Sequence, residues 1–308
     1  MLHRLTRRQW LSTTTASVTA ALTQGGGDSR PAPLATVKLR ANGKVVPRLG
    51  LGCFPLSSIA EPTAVALIEA ALAAGIRYLD TAPSYGAKSE SETRIGKAIA
   101  GQPRAPLFLA TKTLARDADG ARRDLDGSLR RLGVSHIDLV QVHEIHDDAD
   151  ALDPDRGVLK ALLAAVRDGV VGAVGVTCHR DPEHALAALR RHRFASVLCP
   201  VNPIDPQRRS FVRSLLPKAR AQEVDVIAMK LFAGGALTRA GRITAAEALA
   251  YGLSQDVTVV VPGCQSRTEL DQALAVARGF RPLEAPALAR LEQQVGKHEG
   301  KTSEWYKT

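Results

Sequence analysis

At or just after the ends of three apolar runs stand four residues whose side chains can move a proton or hold a charge: Asp80, Tyr85, Lys112 and His143. Asp80 closes the apolar run 76–81, and Tyr85 follows five residues later in D-T-A-P-S-Y-G. Lys112 ends A-T-K, and His143 stands in Q-V-H-E. A phenol with a pKa of about 10 is a poor acid at neutral pH, and an adjacent ammonium lowers that value by favouring the phenolate. Tyr85 with Lys112 supplies such a pair. Asp80 would keep the lysine charged and aimed, and a ring nitrogen of His143 would hydrogen-bond a substrate oxygen and orient it. The chemistry expected is protonation of an oxygen that gains negative charge as its carbon is attacked. Each residue also has an ordinary role open to it: Asp80 capping a loop, Tyr85 as a loop aromatic, Lys112 snorkelling, His143 as a core histidine. Together they resist that reading, because a lysine closing an apolar strand is buried without a partner unless the neighbouring Asp80 provides one.

Such a constellation needs elements that bring three strand ends to one face. Continuous apolar runs near 48–53, 76–81, 107–112, 137–142, 171–176, 197–201, 224–229 and 257–262 read as eight strands. Helical spacing recurs between them, at 63–74 (Val65, Leu67, Ile68, Ala71, Leu72), 119–132, 157–167, 182–192, 208–221 and 244–253. Gly75, Gly133 and Gly169 read as helix stops just before the next strand. Eight such alternations predict an α/β chain folded as a parallel (β/α)8 TIM barrel, whose catalytic residues sit at the C-terminal ends of the strands. Ahead of them, V-K-L-R-A-N-G-K-V-V predicts an N-terminal β-hairpin around Asn42-Gly43 that plugs one end.

The 308 residues carry a net charge of +10 and are 45% apolar, which excludes a disordered chain; no run of about 20 apolar residues suggests a membrane helix. Cys53, Cys178, Cys199 and Cys264 lie far apart, so neither a metal site nor a disulfide framework is expected. The basic excess forms no stripe interleaved with aromatics, which argues against nucleic acid as a partner. Part of it lies in residues 1–30, where Arg7-Arg8 precede Trp10, Leu11 and Ser12 and a stretch of small and apolar residues to Leu22. This segment resembles a twin-arginine export signal. Residues 1–34 are accordingly expected to be signal peptide and linker, cut between 20 and 35, with the barrel over 35–308. The apolar part is too short for a stable membrane anchor. The protein is then expected in the periplasm, having used the twin-arginine export machinery, or in the cytoplasm if the signal is idle; an amphipathic arm or a disordered tail is the alternative for this segment.

The order of Asp80, Tyr85, Lys112 and His143, with L-G-L-G at 49–52 and P-G-C-Q-S-R at 262–267, resembles the aldo-keto reductase family over about residues 36–280. G-V-T-C-H at 175–179 and G-G-A-L at 234–237 add to the likeness. The resemblance implies an oxidoreductase that reduces aldehyde or ketone carbonyls of small substrates, with hydride from NADPH, NADH standing second, and Tyr85 as general acid. None of the four residues can deliver hydride, so a nicotinamide cofactor is required. The cofactor contacts implied are Gly52, Thr177, Cys178, Asn202, Met229, Lys230, Leu231, Gly263, Gln265, Ser266 and Arg267, and a monomer is expected.

The pattern departs from the family in places. Thr177-Cys178-His179 replaces the usual Ser-Asn that holds the nicotinamide carboxamide, and a thiol substitutes poorly for an amide. Met229-Lys230 stands where a stacking aromatic is common, and the loop from Phe232 to Arg242 is short, which implies an open pocket. Trp305 and Tyr306 could border the substrate or simply dock on the barrel. Gly263 followed by a helix start offers free amides to a phosphate, and Arg267 offers a fork suited to the 2′-phosphate, although Glu269 puts a negative charge in the same turn. Two rival readings stay open: a cofactor-binding regulatory or interaction protein with low turnover, and a barrel isomerase or hydrolase that uses Asp80 and His143 without nicotinamide.

Overall fold

In a computed structural model of the chain, residues 31–40, 42–147, 152–297 and 301–307 are described. The twin-arginine segment, 1–30, lies outside them. The Asn42-Gly43 turn joins β1 (Thr36–Lys38) to β2 (Val45–Pro47), antiparallel with Val37 opposite Val46. Gly43, at φ +72°, takes the left-handed conformation that the turn needs.

Eight further strands follow: β3 (Leu51–Gly52), β4 (Tyr78–Asp80), β5 (Phe108–Thr113), β6 (Ile137–Val142), β7 (Val171–Thr177), β8 (Ser196–Pro200), β9 (Asp225–Met229) and β10 (Val259–Val260). All are parallel, each paired with the next in sequence. Parallel bridges Leu49 to Val260 and Gly52 to Gly263 join the first strand to the last, closing the (β/α)8 barrel. Gly52 makes that closure possible, since a Cβ there would stand 2.7 Å from the Val261 carbonyl oxygen.

The helices that return the chain are α1 (Glu61–Ala73), α2 (Glu90–Ile99), α3 (Ala118–Leu132), α4 (Val158–Arg167), α5 (Pro182–Arg191), α6 (Phe211–Ser214), α7 (Leu216–Ala221), α8 (Ala236–Arg239), α9 (Ala245–Ser254) and α10 (Arg267–Arg278). Helices α11 (Ala285–Gln294) and α12 (Lys301–Glu304) follow, with a 3-10 turn over Trp305–Lys307. The run read as one helix over 208–221 is two, because Pro217 opens α7 and interrupts the hydrogen-bond ladder. The helix α2 was not among the segments picked out by periodicity, since Glu92 and Arg94 occupy inward positions.

The main core lies between barrel and helices, and it includes Leu34. A second core fills the barrel with Tyr78, Phe108, Leu139, Leu198, Ile227 and Val259. Leu39 and Val46 of the hairpin pack into this inner core, so the hairpin does plug the barrel. Burial of side chains of this size stabilises by about 1.5–3 kcal/mol each.

Candidate active site

Side chains alternate along a strand, so Lys112, two residues beyond the inward Ala110 of β5, also points into the barrel. Asp80 ends β4 directly opposite Ala110. The two side chains therefore meet at the C-terminal rim. Lys112 Nζ donates to Asp80 Oδ1 at 2.6 Å and to the Thr81 carbonyl at 2.7 Å, with both Lys112 and Asp80 buried. Gln141, opposite Lys112 on β6, donates to the other Asp80 oxygen at 3.2 Å. Sequence reasoning missed Gln141; its place two residues before His143, on the inward face, is the signal that marks it.

Tyr85 arrives from the turn after β4, with its amide donating to the Ala82 carbonyl. Lys112 Nζ lies 4.8 Å from the centroid of its ring, and Phe54 packs edge-on against it at 5.1 Å. His143 follows the last residue of β6, with its ring 6.5 Å from that of Tyr85 and perpendicular to it. The four residues expected to work together are thus at one rim.

The electrostatics differ from expectation in one respect. Burial pushes the Tyr85 phenol above its ordinary pKa, and the Lys112 charge, which pulls it down, only partly offsets that. Tyr85 is therefore protonated at neutral pH, the form that an acid must have. For Lys112, burial works against the ammonium, but Asp80 and Tyr85 outweigh it and hold the pKa above the ordinary lysine value. His143 is pressed down to about 3 by burial and by the charges of Lys112, Arg116 and Lys230, so its ring is neutral. His179, with its ring 5.3 Å from His143, is lowered by burial and by His143 and Lys230.

The expected cofactor contacts fall into three groups. Those at or just beyond the ends of β7 and β8 are engaged internally. Thr177 Oγ1 lies 2.8 Å from His143 Nδ1. Cys178 is turned into the core, where its thiol donates to the Asp181 carbonyl at 3.0 Å, so it does not face the cleft. Asn202 is buried with its amide saturated: Oδ1 accepts from the amides of Ile204 and Asp205, and Nδ2 donates to the Lys230 carbonyl and the Tyr306 hydroxyl.

The second group surrounds β9. Met229 packs in the inner barrel core and Leu231 in the outer one. Lys230, between them at φ +55°, lies 4.7 Å from the Trp305 ring and 5.4 Å from that of Tyr306. Burial and the Lys112 charge lower its pKa, with Glu144 opposing. The C-terminal segment thus docks on the barrel. Lys307 anchors it through Asp205 at 2.6 Å and Glu304 at 3.0 Å, all three buried. Trp305 stands beside Gly234 in the short loop that follows Phe232.

The third group opens α10. Gly52 and Gly263 are the bridge that closes the barrel. Ser266 caps the helix by accepting from the Glu269 amide at 3.2 Å, and Glu269 in turn accepts from the Gln265 amide at 2.7 Å. Arg267 is paired with Asp271 at 2.9 Å on the surface. The amides of Arg267 and Thr268 make no hydrogen bond among the described residues.

Comparison with known proteins speaks to family and fold. The sequence model of the aldo/keto reductase family matches residues 48–247, which include all four rim residues. An aldo-keto reductase of Mycolicibacterium smegmatis is 31% identical over 188 residues, covering 59% of this chain and 61% of that protein. Aldo-keto reductase YhdN of Bacillus subtilis is 32% identical over 217 residues, 64% of this chain and 61% of the relative. The matched part thus spans about three fifths of these relatives. Among solved structures, the holo form of aldo-keto reductase AKR11C1 from Bacillus halodurans superposes with a TM-score of 0.73 over 86% of this chain and 98% of its own, at 23% identity, which speaks to the fold. By the span of the family match, the chain belongs to the aldo/keto reductase family.

Proposed function

We propose that this protein reduces aldehyde or ketone carbonyls of small substrates, with NADPH as hydride donor and Tyr85 as proton donor. The observation that carries the reading is the buried Lys112 ammonium held between Asp80 and Tyr85. As the phenol gives its proton to the substrate oxygen, negative charge develops beside that ammonium, which is already in place to stabilise it. Neutral His143 holds the same oxygen by a hydrogen bond rather than by charge. The cofactor, when bound, supplies hydride to the carbonyl carbon.

Donors in the right places support a nucleotide. The Arg267 and Thr268 amides at the start of the twelve-residue α10 suit a phosphate. The exposed Arg267–Asp271 pair is worth only about 0.3–0.5 kcal/mol, so the guanidinium can exchange it for a 2′-phosphate, which is the basis for preferring NADPH. The residues at Cys178 and Asn202 give the carboxamide little, and the hold on that end is correspondingly weak. Arg7-Arg8 support export of the folded protein to the periplasm by the twin-arginine machinery.

The test is NADPH binding by fluorescence, followed by NADPH oxidation against a panel of small aldehydes, ketones and quinones. Binding with turnover on at least one carbonyl class is expected. Binding without turnover across the panel would favour a regulatory protein, and absence of binding would favour chemistry that needs no nicotinamide.

A further inference from the structure

We propose that Thr177 is a positioning residue that fixes the tautomer of His143, with the proton on Nε2 and the lone pair on Nδ1. The inference rests on the proposed role of His143 as the group that orients the substrate oxygen.

Adjacent strands bring the two residues together. Val142 of β6 is in register with Val176 of β7, so the next residues, His143 and Thr177, stand side by side. Thr177 is fully buried, and its hydroxyl lies 2.8 Å from His143 Nδ1. That is the only hydrogen bond of the hydroxyl among the described residues. A hydroxyl has one proton to donate, and a buried donor without an acceptor is costly. If Nδ1 carried the ring proton, it would donate to Oγ1, and the threonine proton would be left in the core with nothing to receive it. If Nδ1 carries the lone pair, the hydroxyl donates to it, and neither the hydroxyl nor Nδ1 is left without a partner. A neutral imidazole then has its proton on Nε2, the nitrogen that no described residue hydrogen-bonds. Burial among Lys112, Arg116 and Lys230 keeps the ring from taking a second proton. His143 would thus offer a donor to a carbonyl oxygen, and the complementary tautomer would offer it a lone pair.

The tautomer can be read without any substrate. In the full-length protein with ¹⁵N-labelled histidine, NMR should show a pyridine-type shift at Nδ1 of His143 and a pyrrole-type shift at Nε2, assigned by loss of both signals in His143→Gln. Thr177→Ser should keep this pattern. Thr177→Val, similar in shape without the donor, should lose it, and kcat on a carbonyl substrate should fall by roughly 10²-fold, the size of effect seen when a hydrogen-bond donor to the developing oxyanion is lost. A pyrrole-type Nδ1 in the wild type would overturn the proposal even if the protein is an active reductase, and whatever becomes of Thr177→Val. Loss of NADPH affinity in Thr177→Val with the tautomer unchanged would equally overturn it, since the hydroxyl would then serve the cofactor. The expected tautomer in a protein that turns over no carbonyl would leave the positioning role of Thr177 standing and remove only the assigned reaction.

Discussion

His143 and His179 are both held neutral by burial close to cations, and folding has to release any proton they carry in the unfolded chain. The sign follows directly. Unfolded histidine binds a proton below a pH of about 6.5, whereas folded His143 binds one only near 3. Between those values the unfolded state holds more protons, so stability falls as pH drops below about 6.5. Each such group adds about 1.4 kcal/mol per pH unit to the slope once the unfolded form is protonated. Urea unfolding measured from pH 7.5 down to 4.5 should therefore give a shallower dependence for His143→Gln than for wild type, by about that amount. Equal slopes would mean that His143 takes up its proton as readily folded as unfolded. At this scale much of the site was legible in the sequence. A lysine ending an apolar strand calls for a carboxylate, and Asp80 was the neighbour at hand. The direction of the Tyr85 shift was not legible, because a sequence names the charge beside a phenol but not the depth at which the phenol sits. The contact of Thr177 with His143 was missed for a related reason: it depends on register between strands, which no spacing along the chain reveals.

At the scale of elements, the start of α10 decides cofactor choice in the proposed function. Arg267→Ala should weaken NADPH binding by about 1–3 kcal/mol and leave NADH binding unchanged, since only NADPH carries the phosphate that the guanidinium would bind. Titration of both cofactors by fluorescence checks this, and an equal loss for both would assign Arg267 a general role at the helix end. The capping turn shows why this region reads ambiguously from sequence. Ser266 caps the helix and Glu269 closes the turn on the Gln265 amide, yet the amides of Arg267 and Thr268 stay open among the described residues, so the same turn serves structure and leaves room for an anion. Helix α2 carries the complementary lesson. Its inward Glu92 accepts from Thr111 at 2.6 Å and from Arg131 at 2.7 Å, so a helix face that is polar yet buried hides from an apolar-periodicity reading.

For the whole molecule, the eight strands were legible because a barrel buries both faces of each strand and so writes them as continuous apolar runs. The covering of the β9 rim by the C-terminal segment was not, since Trp305, Tyr306 and Lys307 reach Lys230, Asn202 and Asp205 across 75, 104 and 102 residues of chain. The proposed export adds a whole-molecule expectation: Arg7→Lys with Arg8→Lys should hold the full-length precursor inside the cell, as judged by fractionation and immunoblotting. Cleavage should fall before Leu34, which belongs to the core. Undiminished periplasmic accumulation of the double variant would argue for another route.

The central claim is that Tyr85, set against Lys112 and Asp80, gives the proton that completes carbonyl reduction. Its most direct test is single-turnover NADPH oxidation in wild type and Tyr85→Phe at saturating carbonyl substrate, with NADPH affinity measured alongside. Removing the hydroxyl while keeping the ring should slow the chemical step by about 10²- to 10⁴-fold and leave the cofactor Kd unchanged. Comparable single-turnover rates in the two proteins would contradict the account.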